Sequence, residues 1–280
     1  MAWTVLGQDD AIGVLTRAVA DDRVAHAYLF SGPAHAGKTL TALQFAQALN
    51  CTGETAGTGV PCGRCRACEK IASGTHPDVE MVGVGGMCDV SEHDHRDSRD
   101  IRVCQVRRME SIVSRAPFEG RYRVQIIDPA SAMNEIAQNA LLKTLEEPPA
   151  QVVIVLITDS EEPLLETIRS RVRRVGFGGM GRAAIEQALR TRWDVEPARA
   201  AALARLSGGR IGWAVLAIHD DKLTERQDED LAIVAALASG RMADRMAWAG
   251  ETGSRWSKDR PRVRATLDVW ERWWRDILLI

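Results

Sequence analysis

The chain has 280 residues, a length that favours two or three domains. Its content of 45% hydrophobic and 26% charged residues is typical of a globular protein with a real core. This composition excludes a disordered chain, a collagen-like repeat and a disulfide-stapled miniprotein. The net charge of −2 does not point to nucleic acid or a membrane surface. No stretch approaches the roughly 20 apolar residues of a membrane span, and the first residues do not read as a signal peptide. We therefore expect a cytoplasmic protein with reduced thiols and no membrane partner.

Short apolar runs alternate with helical patterns through the first two thirds of the chain. This alternation predicts an α/β fold in which helices cover a parallel sheet. After residue 181 the pattern is helical, with breaks near 195–197 and 207–209 and a new segment beginning near Arg226. The predicted strands are 27–30, 79–84, 124–127, 152–157 and 172–177, and the predicted helices between them are about 37–49, 101–115, 135–147 and 163–169.

A complete phosphate-binding motif, G-x-x-x-x-G-K-T, follows the first predicted strand. Gly32 and Gly37 permit a tight backbone path, and the loop amides with the next helix N-terminus form a nest for anions. Lys38 is expected to reach the β and γ phosphates, and Thr39 to place its hydroxyl on Mg²⁺. The motif predicts binding of a purine nucleoside triphosphate, such as Mg·ATP. It does not predict hydrolysis.

Four cysteines follow the predicted helix of this motif. They are Cys51, Cys62, Cys65 and Cys68, with the spacing C-x10-C-x2-C-x2-C. In a reducing compartment this spacing predicts a tetrahedral zinc site, because thiolates bind Zn²⁺ well and each C-x2-C step can converge from a tight turn. Four thiolates leave no position for water. The site is therefore predicted to be structural.

A further group of thiols and imidazoles occurs between residues 88 and 104. Cys88 lies close to His93 and His95, which could indicate a second metal site. The surrounding run is so polar that a solvated loop is the favoured prediction. Cys104 lies in an apolar-periodic stretch and is predicted to be a core residue.

An acidic residue ends the third predicted strand. Asp128 follows an apolar run as the Walker B aspartate does, and is placed to hold the Mg²⁺ shell. The alternative is a simple strand-terminating Asp, because Asp-Pro is a turn signal. The next residue is Pro129, where many ATPases have a glutamate that orients the attacking water. Proline cannot act as a base, so useful hydrolysis is doubtful.

Taken together, these motifs resemble the bacterial DNA polymerase III clamp-loader AAA+ subunits over essentially the whole chain. The resemblance rests on residues 26–33, 139–149 and 168–171, and on the cysteine module between the P-loop helix and the next strand. It implies an AAA+ P-loop domain at 1–178 with a zinc module at 51–68, a helical lid at 179–225, and an apparently truncated helical collar at 226–280.

The resemblance also implies roles for three residues outside the P-loop. Thr158 matches the sensor-1 position, and Arg210 matches the sensor-2 arginine of the lid. Arg171 matches the arginine of the S-R-C motif, which acts as a finger on the nucleotide of a neighbouring subunit. Val172 replaces the cysteine of that motif here, and the arginine is intact. Without the resemblance, Arg171 would read as one solvated charge in a basic cluster.

Two departures from the motor pattern, at Pro129 and in the sequence around Arg210, make the chain similar to the delta-prime type. Motor subunits of the gamma/tau type carry D-E at Walker B and a different sensor-2 sequence. The implied role is that of a mostly non-hydrolysing stator in a hetero-pentameric ring with gamma/tau and delta subunits. Through that ring it would act on the sliding clamp and primed DNA in replication.

Two alternatives stay open at this point. The first is an active gamma/tau-type clamp-loader ATPase. The second is a zinc-containing nucleic-acid-binding regulator that uses ATP as a structural ligand. Six basic residues could form its binding face, although they lack interleaved aromatic side chains: Arg64, Arg66, Lys70, Arg102, Arg107 and Arg108.

Overall fold

The computed structural model describes residues 3–90, 93–96, 98–256 and 258–278. The chain divides into two compact units, Met1–Gly179 and Met180–Ile280. The strands of the first unit are β1 (Ala27–Ser31), β2 (Val79–Val82), β3 (Arg123–Ile127), β4 (Val152–Thr158) and β5 (Arg173–Gly176). Its helices are α1 (Asp9–Ala20), α2 (Lys38–Asn50), α3 (Arg66–Ala72), α4 (Val103–Val113), α5 (Glu135–Glu146) and α6 (Glu166–Arg169), with a 3-10 turn at Ala130–Ala132.

The strands in the described part of the chain form one parallel sheet in the order β2-β3-β4-β1-β5. Parallel strands need helical crossovers, which cover both faces, so the three central strands β3, β4 and β1 are buried on both sides. Along β1, Tyr28 and Phe30 enter one core cluster while Ala27 and Leu29 enter the other. The α/β sheet predicted from the sequence is confirmed.

The sheet topology brings three of the predicted site residues to one edge. β4 lies between β1 and β3, and all three strands run in the same direction. The P-loop follows β1, Asp128 follows β3, and Thr158 is the last residue of β4. This carboxyl edge is where open parallel sheets place their ligands.

Two helices of the first unit had no counterpart in the sequence prediction. Helix α1 buries Ala11, Leu15, Ala18 and Val19, which recur at helical spacing along one face, so its pattern was available in the sequence. Helix α3 is only seven residues long and begins within the cysteine module. Its short length leaves no periodicity to detect.

The regular secondary structure described in the second unit is all helical. Its helices are α7 (Arg182–Arg192), α8 (Pro197–Leu206), α9 (Ile211–His219), α10 (Asp221–Ser239), α11 (Met242–Trp256) and α12 (Arg260–Leu278). The predicted boundary at 225/226 lies inside α10, because the charge-rich run there is a solvated helix face and not a linker. Buried Asp230 of α10 pairs with Arg262 of α12 at 2.6 Å. The division into lid and collar remains a prediction.

None of the described helices is both long enough and apolar enough to cross a membrane.

A buried ion pair holds the segment that precedes β3. The Asp78 carboxylate accepts backbone N–H bonds from Phe118, Glu119 and Gly120 at 2.7–2.8 Å, and Arg123 pairs with it at 2.9 Å. Burial alone would raise the pKa of Asp78, but these N–H groups and the guanidinium outweigh it and hold the pKa below its ordinary value. The charged form is therefore the one that stabilises the fold.

We expect Asp78→Asn to destabilise the first unit by about 3–5 kcal/mol, because it leaves the buried Arg123 charge without its carboxylate counter-charge. Urea unfolding at pH 7 measures this effect. Since the folded pKa of Asp78 is lowered, its stabilisation is present above about pH 5 and is lost as the pH falls through that folded value. Asp22→Asn, which breaks an exposed pair with Arg121, is the control and should change little. Equal effects of the two variants would contradict this account of the buried pair.

Candidate nucleotide and metal sites

The P-loop is held closely against the end of β5. Gly32 has a φ of +145°, and a Cβ there would lie 2.2 Å from the backbone oxygen of Phe177. Phe177 donates its backbone N–H to Ser31 at 2.7 Å, which fixes this approach. Gly37 caps helix α2 with a left-handed backbone. The loop therefore needs glycine at position 32 for a steric reason that does not involve any ligand.

Lys38 is buried and points its amine back over the loop. Its Nζ donates to the carbonyl oxygens of Gly32 and Pro33 and pairs with Asp159, each at 2.7 Å. Asp159 directly follows β4 and its side chain is mostly exposed. The lysine is thus positioned by its own loop, and its single carboxylate contact lies toward solvent, where an anionic ligand could compete for the amine.

Thr39 and Asp128 meet at the carboxyl edge of the sheet. The Thr39 hydroxyl donates to Asp128 Oδ2 at 2.6 Å, although the two residues are 89 positions apart. Burial raises the pKa of Asp128, against the opposing effects of the Thr39 hydrogen bond and the Lys38 charge. The Asp128–Pro129 peptide bond is cis. A hydroxyl and a carboxylate in contact are the two protein ligands that Mg²⁺ takes in P-loop proteins, so the donor set fits Mg²⁺ with a nucleotide.

Thr158 and Arg171 lie in different environments. Thr158 is fully buried, and its hydroxyl bonds to the backbone of Ser160. Arg171 lies in the turn between α6 and β5. Its side chain is about one third exposed, and its guanidinium donates to the Thr167 carbonyl at 2.9 Å and pairs with Glu146 at 2.9 Å. These two contacts restrict the orientation of the guanidinium, while its exposed part can still bind a further anion.

Arg210 is buried within the second unit. Its Nε donates to the Ser207 carbonyl at 2.8 Å, and the guanidinium lies 5.7 Å from the ring centre of Trp213. Burial lowers the pKa of Arg210 to about 10, and the charge of Arg272 adds to this effect. A cation that is disfavoured in this way gains from a nearby anion.

The four cysteines Cys51, Cys62, Cys65 and Cys68 converge, with all four sulfur atoms within 4.8 Å of one another. The Sγ atoms of Cys62 and Cys68 are 4.0 Å apart, close to the edge of about 3.8 Å for a tetrahedral zinc-tetrathiolate. The Cys65 N–H points at Cys62 Sγ at 3.3 Å. Gly53 permits the close turn, since a Cβ there would lie 2.7 Å from Cys62 Sγ. The geometry fits a structural Zn²⁺.

The pKa values of the thiols in this cluster shift in opposite directions. Burial would raise the pKa of Cys65, but backbone N–H groups of Cys68 and Thr52 outweigh it and lower the pKa to about 6. Burial raises the pKa of Cys68. A cation at the centre would favour the thiolate form of all four cysteines.

Two predictions for residues 88–104 need correction. His95 is buried, so this part of the loop is not simply solvated. Cys104 is only half-buried and is not a core residue, because it lies in the first turn of α4 and faces the loop. Its Sγ is 3.3 Å from His95 Nε2.

The fold and the P-loop geometry define a P-loop protein of the AAA+ type with an inserted cysteine module. A gamma subunit-related protein of DNA polymerase III from Thermotoga maritima has the same fold, with a TM-score of 0.51 and 20% identity over 93% of this chain and 77% of that chain. A family model described as "DNA polymerase III, delta subunit" matches residues 7–180. The chain belongs to this family, as its resemblance to clamp-loader subunits predicted.

The relatives named after individual subunits are similar at moderate identity. The delta' subunit of Bacillus subtilis is 32% identical over 82% of this chain, and that of Pseudomonas aeruginosa is 39% identical over 66%. The gamma/tau subunit of Mycobacterium tuberculosis is 36% identical over 62%. This chain spans 65%, 53% and 28% of the lengths of these three relatives, respectively.

Sequence reasoning missed Asp159 and Glu146, the acidic partners of Lys38 and Arg171. The position of Asp159 directly after the sensor strand is a signal that could have pointed to it, because β4 ends beside the P-loop strand. Glu146 gives no such signal. It reaches Arg171 only because α5 and the turn after α6 come together in the fold.

Proposed function

We propose that this chain is a delta-prime-type clamp-loader subunit that binds Mg·ATP, turns it over poorly, and supplies an arginine to a neighbouring subunit. It would work in a ring with gamma/tau and delta subunits and act through that ring on the sliding clamp and primed DNA. One observation carries the proposal: within a chain of this family, Lys38, Thr39 and Asp128 are assembled while proline follows Asp128.

The nucleotide-binding part of the proposal rests on charge and donor type. Lys38 would exchange its contact with exposed Asp159 for phosphate oxygens, and the P-loop amides would face the same anion. Thr39 and Asp128 would bind the cation that accompanies the nucleotide. The charge of this cation would favour the ionised form of Asp128, which burial disfavours. The bound cation would supply charge neutralisation, and the chain's own residues would hold and orient the phosphates.

We expect Lys38→Ala to abolish Mg·ATP binding, because it removes the only side-chain cation of the motif. Titration of a fluorescent ATP analogue, followed by competition with ATP, measures the affinity. Lys70→Ala is the matched control, since Lys70 pairs with Glu119 in a different part of the surface. Unchanged binding by the Lys38 variant would contradict the assignment of this loop.

Poor hydrolysis follows from the residue after Asp128. Pro129 has no group that could orient or deprotonate water. We expect the isolated chain to turn over ATP far below the roughly 1–100 s⁻¹ typical of efficient phosphoryl-transfer enzymes. A steady-state phosphate-release assay tests this expectation, and turnover in that range would contradict it.

The intact P-loop favours a second candidate, a gamma/tau-type motor. Relatives named gamma/tau or tau match 60–66% of this chain at 34–39% identity. The candidate requires a catalytic carboxylate from another position. Vigorous turnover by the chain alone would favour the motor, whereas turnover confined to its neighbours in an assembled ring would favour the delta-prime role.

The regulator alternative loses support from the surface charges. Arg64 pairs with Glu54, Lys70 pairs with Glu119, and Arg108 pairs with Glu80. These carboxylates neutralise half of the basic residues that a nucleic-acid face would use. A strong, salt-dependent affinity of the lone chain for DNA would restore this alternative.

A further inference from the structure

The connection between β2 and α4 is long, and among its described residues buried hydrophobic packing begins only at Ile101, next to α4. It runs from residue 83 to residue 102; Val84, Met87 and Val90 are exposed, whereas Ile101 at its end is fully buried. Loops of this length without regular structure are uncommon in compact domains unless something else orders them. In its described residues, the connection is drawn together around two thiols and two imidazoles.

Four ligand-type side chains converge at this point. Cys88, His93 and His95 come from the loop and Cys104 from the first turn of α4, and each offers one donor atom within 4.8 Å of the others. Cys88 Sγ lies 3.6 Å from His93 Nδ1 and 3.2 Å from His95 Nε2. Cys104 Sγ lies 3.3 Å from His95 Nε2.

These separations match a tetrahedral metal shell. Zinc bonds of about 2.3 Å to sulfur and 2.0 Å to nitrogen place a sulfur and a nitrogen ligand about 3.5 Å apart. The three sulfur–nitrogen distances of 3.2, 3.3 and 3.6 Å lie around this value. Two cysteines and two histidines are also a common donor set of closed, structural zinc sites.

The orientation of the buried histidine points to the same conclusion. The His95 ring is buried, and its Nδ1 has no hydrogen-bond partner in the described part of the chain. Its polar contacts are those of Nε2 with the two sulfur atoms. A neutral imidazole with its proton on Nδ1 leaves the Nε2 lone pair directed at the centre of the cluster.

Both ends of the ligand set are fixed by the surrounding fold. Buried Gln105 of α4 donates to the carbonyl oxygens of Gly83 and Gly86 at 2.9 and 3.0 Å. Arg108 pairs with Asp89 at 3.2 Å, beside Cys88. The helix that carries Cys104 is therefore tied to the loop that carries the other ligands, independently of any ion.

We propose that Cys88, His93, His95 and Cys104 form a second zinc site, separate from the four-cysteine site, that closes the β2–α4 connection onto helix α4. Four protein ligands leave no open position, so the site is structural. The ion would hold the part of the loop before Ile101, whose large apolar side chains Val84, Met87 and Val90 are exposed.

Zinc stoichiometry of the purified full chain tests the proposal. We expect two zinc ions per chain in the wild type, one in Cys88→Ser, one in Cys65→Ser, and none in the double variant. His93→Gln removes an exposed ligand, so it tests the site with little risk to folding. His219→Gln lies outside both clusters and should retain two ions.

Cobalt substitution identifies the ligands. Thiolate-to-cobalt charge-transfer absorption grows with the number of sulfur ligands, so Cys65→Ser should leave the weaker spectrum of two thiolates and Cys88→Ser the stronger spectrum of four. Trypsin cleavage after Arg96 should be slow in the zinc-loaded wild type and fast after chelation or in His93→Gln. One ion in the wild type with no change in Cys88→Ser would overturn the proposal. So would a second ion that survives both His93→Gln and Cys104→Ser.

Discussion

Replacing Arg171 with alanine is expected to lower ATP turnover at the adjacent motor site of the proposed ring by about 10³–10⁵-fold. A guanidinium is planar and permanently charged, and it can bind two phosphate oxygens at once, so it stabilises charge that spreads over the γ-phosphate during bond breakage. Arg171 is a surface residue in a turn, and its partners are Thr167 and Glu146. The variant should therefore still fold, hold its metal and assemble with its partners. Phosphate release by the reconstituted ring measures the effect.

Arg174 provides the matched control for this prediction. It belongs to the same basic cluster, is more exposed than Arg171, and pairs loosely with Glu161 at 3.4 Å. Arg174→Ala should leave turnover nearly unchanged. If both variants reduce turnover equally, the basic cluster acts through its overall positive charge and not through one positioned guanidinium. If neither does, Arg171 is an ordinary surface charge.

Cys65→Ser is expected to release the zinc ion of the four-cysteine site. Structural zinc ions in small modules contribute roughly 10–16 kcal/mol of apparent binding free energy, so losing a ligand should open the module. The module is an insertion between α2 and β2, and the sheet has its own core clusters on both faces. We therefore expect hydrogen exchange to increase over residues 51–72 while β1, β3 and β4 stay protected.

Thr58→Ala is the control for this measurement. Thr58 lies in the same module and bonds to the Thr55 carbonyl, but it offers no sulfur. This variant should keep its zinc. Unchanged zinc content in Cys65→Ser would contradict the four-cysteine assignment. Increased hydrogen exchange in the strands of the sheet would contradict the independence of the module from the sheet.

The sequence predicted those parts of the site that are contiguous in the chain or that follow directly from the parallel sheet. The P-loop is contiguous, and the preceding strand and following helix supply its context. The parallel sheet could be predicted from the apolar runs, and a parallel sheet places Asp128 and Thr158 at the same edge as the loop. The Thr39–Asp128 contact follows from this placement.

The contacts that were missed are those between distant segments. Asp159 reaches Lys38 across 121 positions, and Glu146 reaches Arg171 from another helix. Cys104 was assigned to the core because its stretch has helical periodicity, which predicts the helix but not the direction of one side chain in its first turn. The spacing C-x4-H-x-H-x8-C has no short step between its cysteines, so composition favoured a solvated loop. Only tertiary packing brings these four side chains together.

Clamp loading by three reconstituted rings, side by side, tests the central claim most directly. The rings contain the wild-type chain, the Arg171→Ala chain or the Lys38→Ala chain, together with the gamma/tau and delta subunits of the same organism. If this chain is a stator that supplies an arginine, the Arg171 variant should lose loading onto primed DNA while the Lys38 variant retains most of it. Loss of loading in the Lys38 variant with normal loading in the Arg171 variant would contradict the account and identify the chain as a motor.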